Sequence, residues 1–464
     1  MTNKAYFIEP FVDTGLGNSA YLIGSHETHL GILIDPLRDV DRYLRAASNL
    51  GVKLIHVLDT HLHADFISGS REIASQTSAA IGASAEAHVG FDHDPLIEGS
   101  VIDLGAFQIR VMMTPGHTPE HISFLLVEAD GKTPSALFSG GALIVGGAAR
   151  TDLLAPELAL PLARHLYHTI HDKLLILPDE VTVYPTHGAG SFCVAPASPE
   201  RTTTIGRERK TNPLAKSQNE EEFIQRAFAG LPLYPTYYKY MRQLNQKGAK
   251  LLGGLPPLNP YSPAEVQALM DNGVVVLDIR HQKRFAAGHI PNSFGIRVDA
   301  PVVVWAGWVI PFGSRIVLLG DSAEQRDDAT RQLIRIGYDD VLGYVEGGMD
   351  AWAREYRVET VESIQPRELR ERLHEVTLVD VRRLSEWQEE HIPGAIHFEG
   401  GRIPWEQLPF RLDRPLVLQC ASGNRSMVAI SVLKRLGIHN VIQADGGILK
   451  WKMNGFETVQ EQDG

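Results

Sequence analysis

Two sets of residues in this 464-residue chain have the types and spacing to do chemistry. The first is Thr60-His61-Leu62-His63-Ala64-Asp65-Phe66, directly after the apolar run Leu54–Leu58. Two imidazoles at i and i+2 on a tight turn after a strand can face one metal ion, and Asp65 adds a carboxylate. Thr114-Pro-Gly-His117 and Tyr184-Pro-Thr-His187 bring further ring nitrogens to strand ends marked by Pro and Gly. With 19 histidines in the chain, one alone would mean little, but three strand ends that each carry one point to a common edge. The second set is Cys420-Ala421-Ser422-Gly423-Asn424-Arg425-Ser426, delivered by the buried-strand pattern Leu416-Val417-Leu418 and running into a helix expected over 426–436. A thiol works as thiolate, which positive potential favours. Loop amides and a helix N-terminus form an anion-binding nest, and Arg425 adds a full charge. Small residues Ala421, Ser422 and Gly423 let the loop curl around a sulfur anion. A lone cysteine is more often an inert core thiol, and only this setting argues otherwise. Cys193 reads as a packed loop residue or as a thiol near the histidines.

The cysteine loop belongs to a motif set that occurs twice. The first copy reads Asp278-Ile-Arg280, His289-Ile-Pro291 and Gly347-Gly348 with Trp352; the second reads Asp380-Val-Arg382, His391-Ile-Pro393 and Gly446-Gly447 with Trp451. Asp to His spans 11 positions in both. In the first copy Gly320 stands where the cysteine would be, and Asp321, Glu324, Asp327 and Asp328 make the loop acidic, opposing an anionic sulfur. That copy is expected to be a structural or docking module. Pro263 and Pro366 start helices, and apolar strands then alternate with helices, which predicts a parallel α/β domain of about 100 residues, twice.

Upstream, short strands near 6–8, 21–23, 31–34, 54–58, 108–112, 122–127 and 136–139 interleave with helices expected over 40–50, 69–76 and 158–174. Strands covered by helices on two sides predict an αββα sandwich. A charged helical tail is expected over 219–250, and the Gly- and Pro-rich stretch 250–260 reads as a linker. The expected domains are 1–254, 255–358 and 359–464.

A hydrophobic fraction of 44% and a charged fraction of 22% are ordinary for a globular protein. The net charge of −12 argues against nucleic acid or an anionic membrane as partner, which leaves small-molecule chemistry. The N-terminus lacks a signal-peptide pattern, the longest apolar stretches are too short to span a bilayer, and two cysteines are too few for a disulfide framework. A cytoplasmic protein is expected, and a homo-oligomer stays open.

Through Asp380-Val-Arg382, His391-Ile-Pro393-Gly394-Ala395, Cys420 to Ser426 and Gly446-Gly447 with Trp451, the second repeat resembles the rhodanese family. The resemblance implies that Cys420 takes up sulfane sulfur as a persulfide and passes it to a thiol, sulfite or cyanide. Arg425 and the loop residues Ala421, Ser422, Gly423, Asn424 and Ser426 would hold the anions. Asp380, Arg382 and His391 would lock the domain.

The N-terminal motifs resemble the metallo-β-lactamase superfamily. They are closer to its persulfide dioxygenase branch fused to rhodanese domains, through 60–69, 114–119, Ala149-Arg150-Thr151-Asp152, 184–190 and 203–209. This likeness implies one Fe(II), oxidising a glutathione-like persulfide with dioxygen to sulfite and free thiol. Zn(II) is the alternative ion. Phe66 replaces the last His of the hydrolase motif, which disfavours a dinuclear zinc thioester hydrolase of the glyoxalase II type. Gly141 replaces a metal-binding Asp. His63 could then complete a set with His61 and His117, with Asp65 and His187 as further donors, or the site is empty. Arg150, with Asp152, fixes either the loop or the thiol substrate. Three functions follow: a bifunctional dioxygenase and sulfurtransferase, a sulfurtransferase alone, or a zinc thioester hydrolase. Thiosulfate or sulfite enters as donor or acceptor in the first two.

Overall fold

The computed structural model describes residues 4–194 and 198–460. In its N-terminal half, strands build two sheets, the inner ones such as Asn18–Ser25 buried on both faces. The first holds β1 (Tyr6–Asp13), β2 (Asn18–Ser25), β3 (Leu30–Ile34), β4 (Lys53–Leu58), β5 (Ala80–Ser84) and β6 (Asp94–Leu96), neighbours in chain order. The second holds β7 (Val101–Asp103), β8 (Phe107–Met113), β9 (Ile122–Glu128), β10 (Pro134–Gly140), β11 (Thr182–Pro185) and β12 (Thr203–Thr204), in the order β12-β11-β10-β9-β8-β7. Tyr21, Ile23 and Ile34 from one sheet share a core with Phe107, Phe124 and Phe138 from the other. Burying each such side chain stabilises the fold by about 2–3 kcal/mol.

Helices cover the outer faces. Asp41–Asn49 and Ser70–Gln76 seat Tyr43, Ala47 and Ile73 against the first sheet. Pro156–His168, with its continuation Thr169–Leu174, seats Leu166, Ile170 and Leu174 against the second. The result is the expected αββα sandwich. The tail differs from expectation: it is two helices, Glu220–Phe228 and Tyr238–Lys247. Pro232 and Pro235 lie between them, and a residue without an N–H ends a helical ladder. Loops that leave the C-terminal ends of β3, β4, β8, β10 and β11 carry Asp35, His61 and His63, His117, Gly141 and His187.

By its contacts the chain divides into two units, Met1–Leu255 with Ile334–Gly337, and Pro256–Leu333 with Tyr338–Gly464. Both repeats lie in the second, except for Ile334–Gly337 of the first repeat. One contributes β13 (Asn259–Tyr261), β14 (Val275–Asp278), β15 (Phe294–Gly295), β16 (Ile316–Leu319) and β17 (Val341–Val345), ordered β13-β17-β16-β14-β15. The other contributes β18 (Glu362–Ile364), β19 (Thr377–Asp380), β20 (Ile396–His397), β21 (Leu416–Gln419) and β22 (Val441–Ala444), ordered β18-β22-β21-β19-β20. All pairings within both sheets are parallel.

The repeats also pack on each other. The helix Asn424–Arg435, which follows the cysteine loop, is buried without interruption from Ser426 to Lys434. Lys434 Nζ, at the end of that helix, reaches Glu359 Oε2 and the Thr360 carbonyl in the segment that joins the repeats, both at 2.9 Å. Trp405 Nε1 donates to the Trp308 carbonyl at 2.6 Å. Among the described residues, no helix is long and apolar enough to cross a membrane.

Candidate functional site

His61, His117 and His187 owe their orientation to specific partners, and those of His117 and His187 lie on other segments of the chain. Thr60 Oγ1 donates its only proton to Asp35 Oδ2 at 2.7 Å, so at 2.8 Å it accepts from His61 Nδ1, and His61 Nε2 is left bare. Asn18 spends its amide on Asp65 Oδ2 at 2.8 Å and turns Oδ1 to His187 Nδ1 at 3.1 Å, leaving His187 Nε2 bare. His117 Nδ1 donates to the Arg150 carbonyl at 2.6 Å, and its Nε2 is buried without a partner. The Nε2 atoms of His61 and His187 stand 3.3 Å apart, lone pair towards lone pair. A bound cation reconciles such an arrangement with burial.

His61, His117 and His187, all buried, offer ligand atoms within 4.8 Å of one another. Burial first, then the charge of neighbouring histidines, pushes His117 down to about 3 and His61 well below the usual imidazole range. Both rings are neutral at pH 7, as metal ligands must be. A metal site is what this donor set fits.

The set expected from sequence is placed as follows. His61 and His117 come together. His63 lies beside them, its ring centroid 4.1 Å from that of His61, but its Nε2 faces Asp35 Oδ1 at 3.2 Å. Burial opposes charge on His63, yet Asp35 outweighs it and raises the pKa. His63 thus favours a proton where its neighbours refuse one, and His187 takes the third place around the shared space. Asp65, its carboxyl drawn down to about 2 against burial by His187 and His63, keeps Oδ1 unpartnered, and with His63 and His187 it forms a second potential donor group. His121 is spent: Nδ1 meets Thr114 Oγ1 at 2.8 Å and Nε2 accepts the Gly141 N–H at 3.0 Å.

At Gly141 a Cβ would meet His117 Cδ2 at 2.6 Å, so the imidazole fills the room a side chain would need. Phe66 is buried and stacks on His63 with centroids 4.1 Å apart, offering no donor. Arg150 grips Asp152 at 2.6 and 2.7 Å and the carbonyls of Phe192 and Pro232 at 3.2 and 2.6 Å. Of its two expected roles, these bonds serve the loop; the residue touches the site through its carbonyl. Cys193 is fully buried, and burial first, then Asp65, pushes its thiol well up, which leaves an inert thiol. Asp35 and Asn18 are the residues sequence reasoning missed, together with the role of Thr60 beside His61; a lone Asp after the apolar run Ile32–Ile34 was the available signal.

In the second unit, Cys420 follows β21 and is 1% exposed. Its Sγ accepts the Gly423 N–H at 3.1 Å, and Ser426 Oγ lies 3.7 Å away. Gly423 (φ +105°) turns the chain into the helix, and Gln443 Nε2 holds its carbonyl at 2.7 Å. From the far side, Ile448 and Leu449 N–H groups bind the carbonyls of Cys420 and Ala421 at 2.9 and 3.1 Å. Gly447 touches the Cys420 carbonyl so closely that a Cβ would overlap it.

Of the expected rim, Gly423 and Ser426 reach the sulfur, whereas Ala421 and Ser422 sit on the outer turn. Asn424 opens the helix, its Oδ1 taken by Arg297 of the other repeat at 3.0 Å. Arg425 is not free: its guanidinium meets the Glu386 carboxylate, one contact at 2.8 Å. Burial raises Glu386, but Arg425 outweighs it and the carboxyl stays below its usual range. Asp380 and Arg382 lock to each other at 2.7 and 3.0 Å, and Arg382 Nη2 reaches the Glu390 carbonyl at 2.6 Å. The pair is structural.

The Rhodanese-like domain family matches residues 262–355 and 365–454, and the metallo-beta-lactamase superfamily matches 13–187. The mitochondrial persulfide dioxygenase ETHE1 of Mus musculus is 34% identical over 213 residues, 44% of this chain and 74% of its own length. The Homo sapiens ETHE1 is 33% identical over 190 residues, 39% of this chain and 68% of its own length. A crystal structure of a metallo-beta-lactamase from Staphylococcus aureus subsp. aureus COL aligns with a TM-score of 0.66 and 32% identity, over 74% of this chain and 99% of that one. The chain therefore belongs to the metallo-β-lactamase superfamily, among relatives of the ETHE1 persulfide dioxygenases, and carries two rhodanese-like domains behind that fold.

Proposed function

We propose that the chain oxidises a low-molecular-weight persulfide in its first unit and moves sulfane sulfur through Cys420 in its second. A persulfide of a glutathione-like thiol, dioxygen and water would give the free thiol, sulfite and two protons. At Cys420, the thiolate would attack the outer sulfur of a persulfide, release the thiol, and carry that sulfur as a cysteine persulfide. Attack by sulfite on the carried sulfur would return the Cys420 thiolate and form thiosulfate, so the second centre can consume what the first produces.

The observation that carries this reading is the meeting of three buried imidazoles whose nitrogens converge, one of them without any partner. His61, His117 and His187 would hold the ion, and Fe(II) there would supply the redox chemistry that activates dioxygen. The chain does the rest. Asp35, through Thr60, keeps the bare nitrogen of His61 turned inward, and the Arg150 carbonyl does the same for His117. Phe66 keeps water from one side. At the second centre, the Gly423 N–H steadies the anionic sulfur.

Metal analysis of the purified chain, with oxygen uptake on glutathione persulfide, tests the proposal. Iron near one equivalent together with uptake supports it. Sulfur transfer without metal would reduce the protein to a sulfurtransferase, and zinc with thioester cleavage would make it a hydrolase. Replacing His187 by Ala should lower metal content at least about tenfold, as ligand loss does. Retention of full metal by that variant would return the third place to His63.

A further inference from the structure

We propose that Arg297, in the repeat that lacks a cysteine, is a positioning residue for the Cys420 loop of the other repeat. The inference rests on the reading of Cys420 as a sulfur carrier. The sulfur is held by one N–H, that of Gly423, and the direction of that N–H depends on where the next residue, Asn424, begins its helix. From inside, Gln443 fixes the Gly423 carbonyl at 2.7 Å. From outside, the fixed point is Arg297, whose Nη1 donates to Asn424 Oδ1 at 3.0 Å while the rest of its fork grips Asp299.

The helix body cannot pivot, since Ser426 to Lys434 are buried between the repeats. Its first turn is less enclosed: Asn424 and Arg425 are half-buried, and their side chains are tied to Arg297 and to Glu386. At that seam Phe285, Ile296 and Trp305 line a narrow cavity with Met427 and Val428, and Arg297 makes the hydrogen bond from the first repeat to the start of the helix there. Arg280 and Gln282 share the cavity wall, but Arg280 is committed to Asp278 at 2.6 and 2.9 Å. A planar, always-charged fork tied at one edge to Asp299 is a rigid anchor for a side-chain amide. The repeat without a nucleophile thereby contributes to the chemistry of the one that has it, without touching the sulfur.

The test uses the full chain with Arg297→Gln, Asn424→Ala and the double variant. Two quantities are read: kcat/KM for sulfur transfer from glutathione persulfide to cyanide, and alkylation of Cys420 by iodoacetamide as a function of pH, resolved by peptide mass spectrometry. Loss of one charge-assisted hydrogen bond should lower transfer about fivefold in either single variant. The alkylation profile should move to higher pH, and the double variant should be no worse than the singles, because both remove one interaction. Arg297→Lys should recover part of the loss.

The proposal is overturned if Arg297→Gln leaves the alkylation profile unchanged, even with a lowered melting temperature, or if the single effects multiply. If the unaltered chain transfers no sulfur, the sulfur-carrier reading fails, while the alkylation profile still reports whether Arg297 places the thiol.

Discussion

The two rhodanese-like repeats have one topology and one set of locks, yet their central loops have opposite character. In the first, Arg280 binds Asp278 and the Gly288 carbonyl; in the second, Arg382 binds Asp380 and the Glu390 carbonyl. His289 stacks on Phe285 and His391 on Trp387, with centroids 4.0 and 4.1 Å apart. Even the clasp between the following helix and the central loop survives, with its charges exchanged: Arg284 holds Asp321 at 2.6 Å in one, and Glu386 holds Arg425 in the other. Where Cys420 meets an amide, Gly320 meets the side chains of Ile279 and Arg326, and Arg326 lies over the Tyr344 ring. The comparison teaches that the frame is fixed by buried pairs on the strand next to the loop, while a handful of loop positions decide whether it can hold a sulfur anion.

Cys420→Ser should produce the largest effect and separate the repeats completely. Sulfur transfer should fall by about a thousandfold or more, with any oxygen uptake retained. Transfer that persisted would mean that the loops differ less than their residues suggest.

Asp278→Asn and Asp380→Asn should each cost about 3 kcal/mol, since each leaves a buried arginine without its carboxylate. Chemical denaturation reads this, and clearly unequal losses would break the equivalence of the two frames.

Acid should expose a smaller asymmetry. Burial first, then the Lys434 charge, pushes His289 down to about 4, so its ring stays neutral in the folded state while the unfolded chain takes up a proton near 6.5. The associated stability is complete above about 6.5 and is lost as pH falls towards 4, at most about 3 kcal/mol. His289→Gln should flatten the acid limb of the melting curve, and an unchanged limb would remove His289 from the account.

Gly320→Cys should have the smallest effect. The Cβ meets Ile279 Cδ1 at 2.9 Å, the movable end of a side chain, so the variant should fold. Its transfer, measured in a Cys420→Ser background, should stay below about a hundredth of normal because Arg284 spends its charge on Asp321 and Arg326 lies over the Tyr344 ring, which leaves a thiolate without a committed cation. Strong transfer from this variant would show that the cysteine alone separates the two loops.

Much of the frame was legible in the sequence. Helices expected over 40–50, 69–76 and 426–436 are Asp41–Asn49, Ser70–Gln76 and Asn424–Arg435, because apolar spacing and small turn residues are local signals. The repeats announced themselves through matched Asp, His and Gly-Gly positions. The site was legible in residue types but not in atoms. Which nitrogen of His61, His117 or His187 is bare depends on Thr60, the Arg150 carbonyl and Asn18, and the last two lie on other segments of the chain. Likewise Arg425 reads as a free charge until Glu386, 39 positions away, is seen to hold it, and spacing carries no trace of such a meeting. Arg297 was silent for the same reason.

In both repeats the first strand pairs with the last, β13 with β17 and β18 with β22. During synthesis, then, β18 must wait until roughly 80 further residues have left the ribosome before its neighbour exists, a non-local closure of the kind that slows folding. A ribosome paused within the second repeat would hold a first repeat already able to close its own sheet. The older half, complete but without a nucleophile, is then the surface on which the helix behind Cys420 can settle as it emerges.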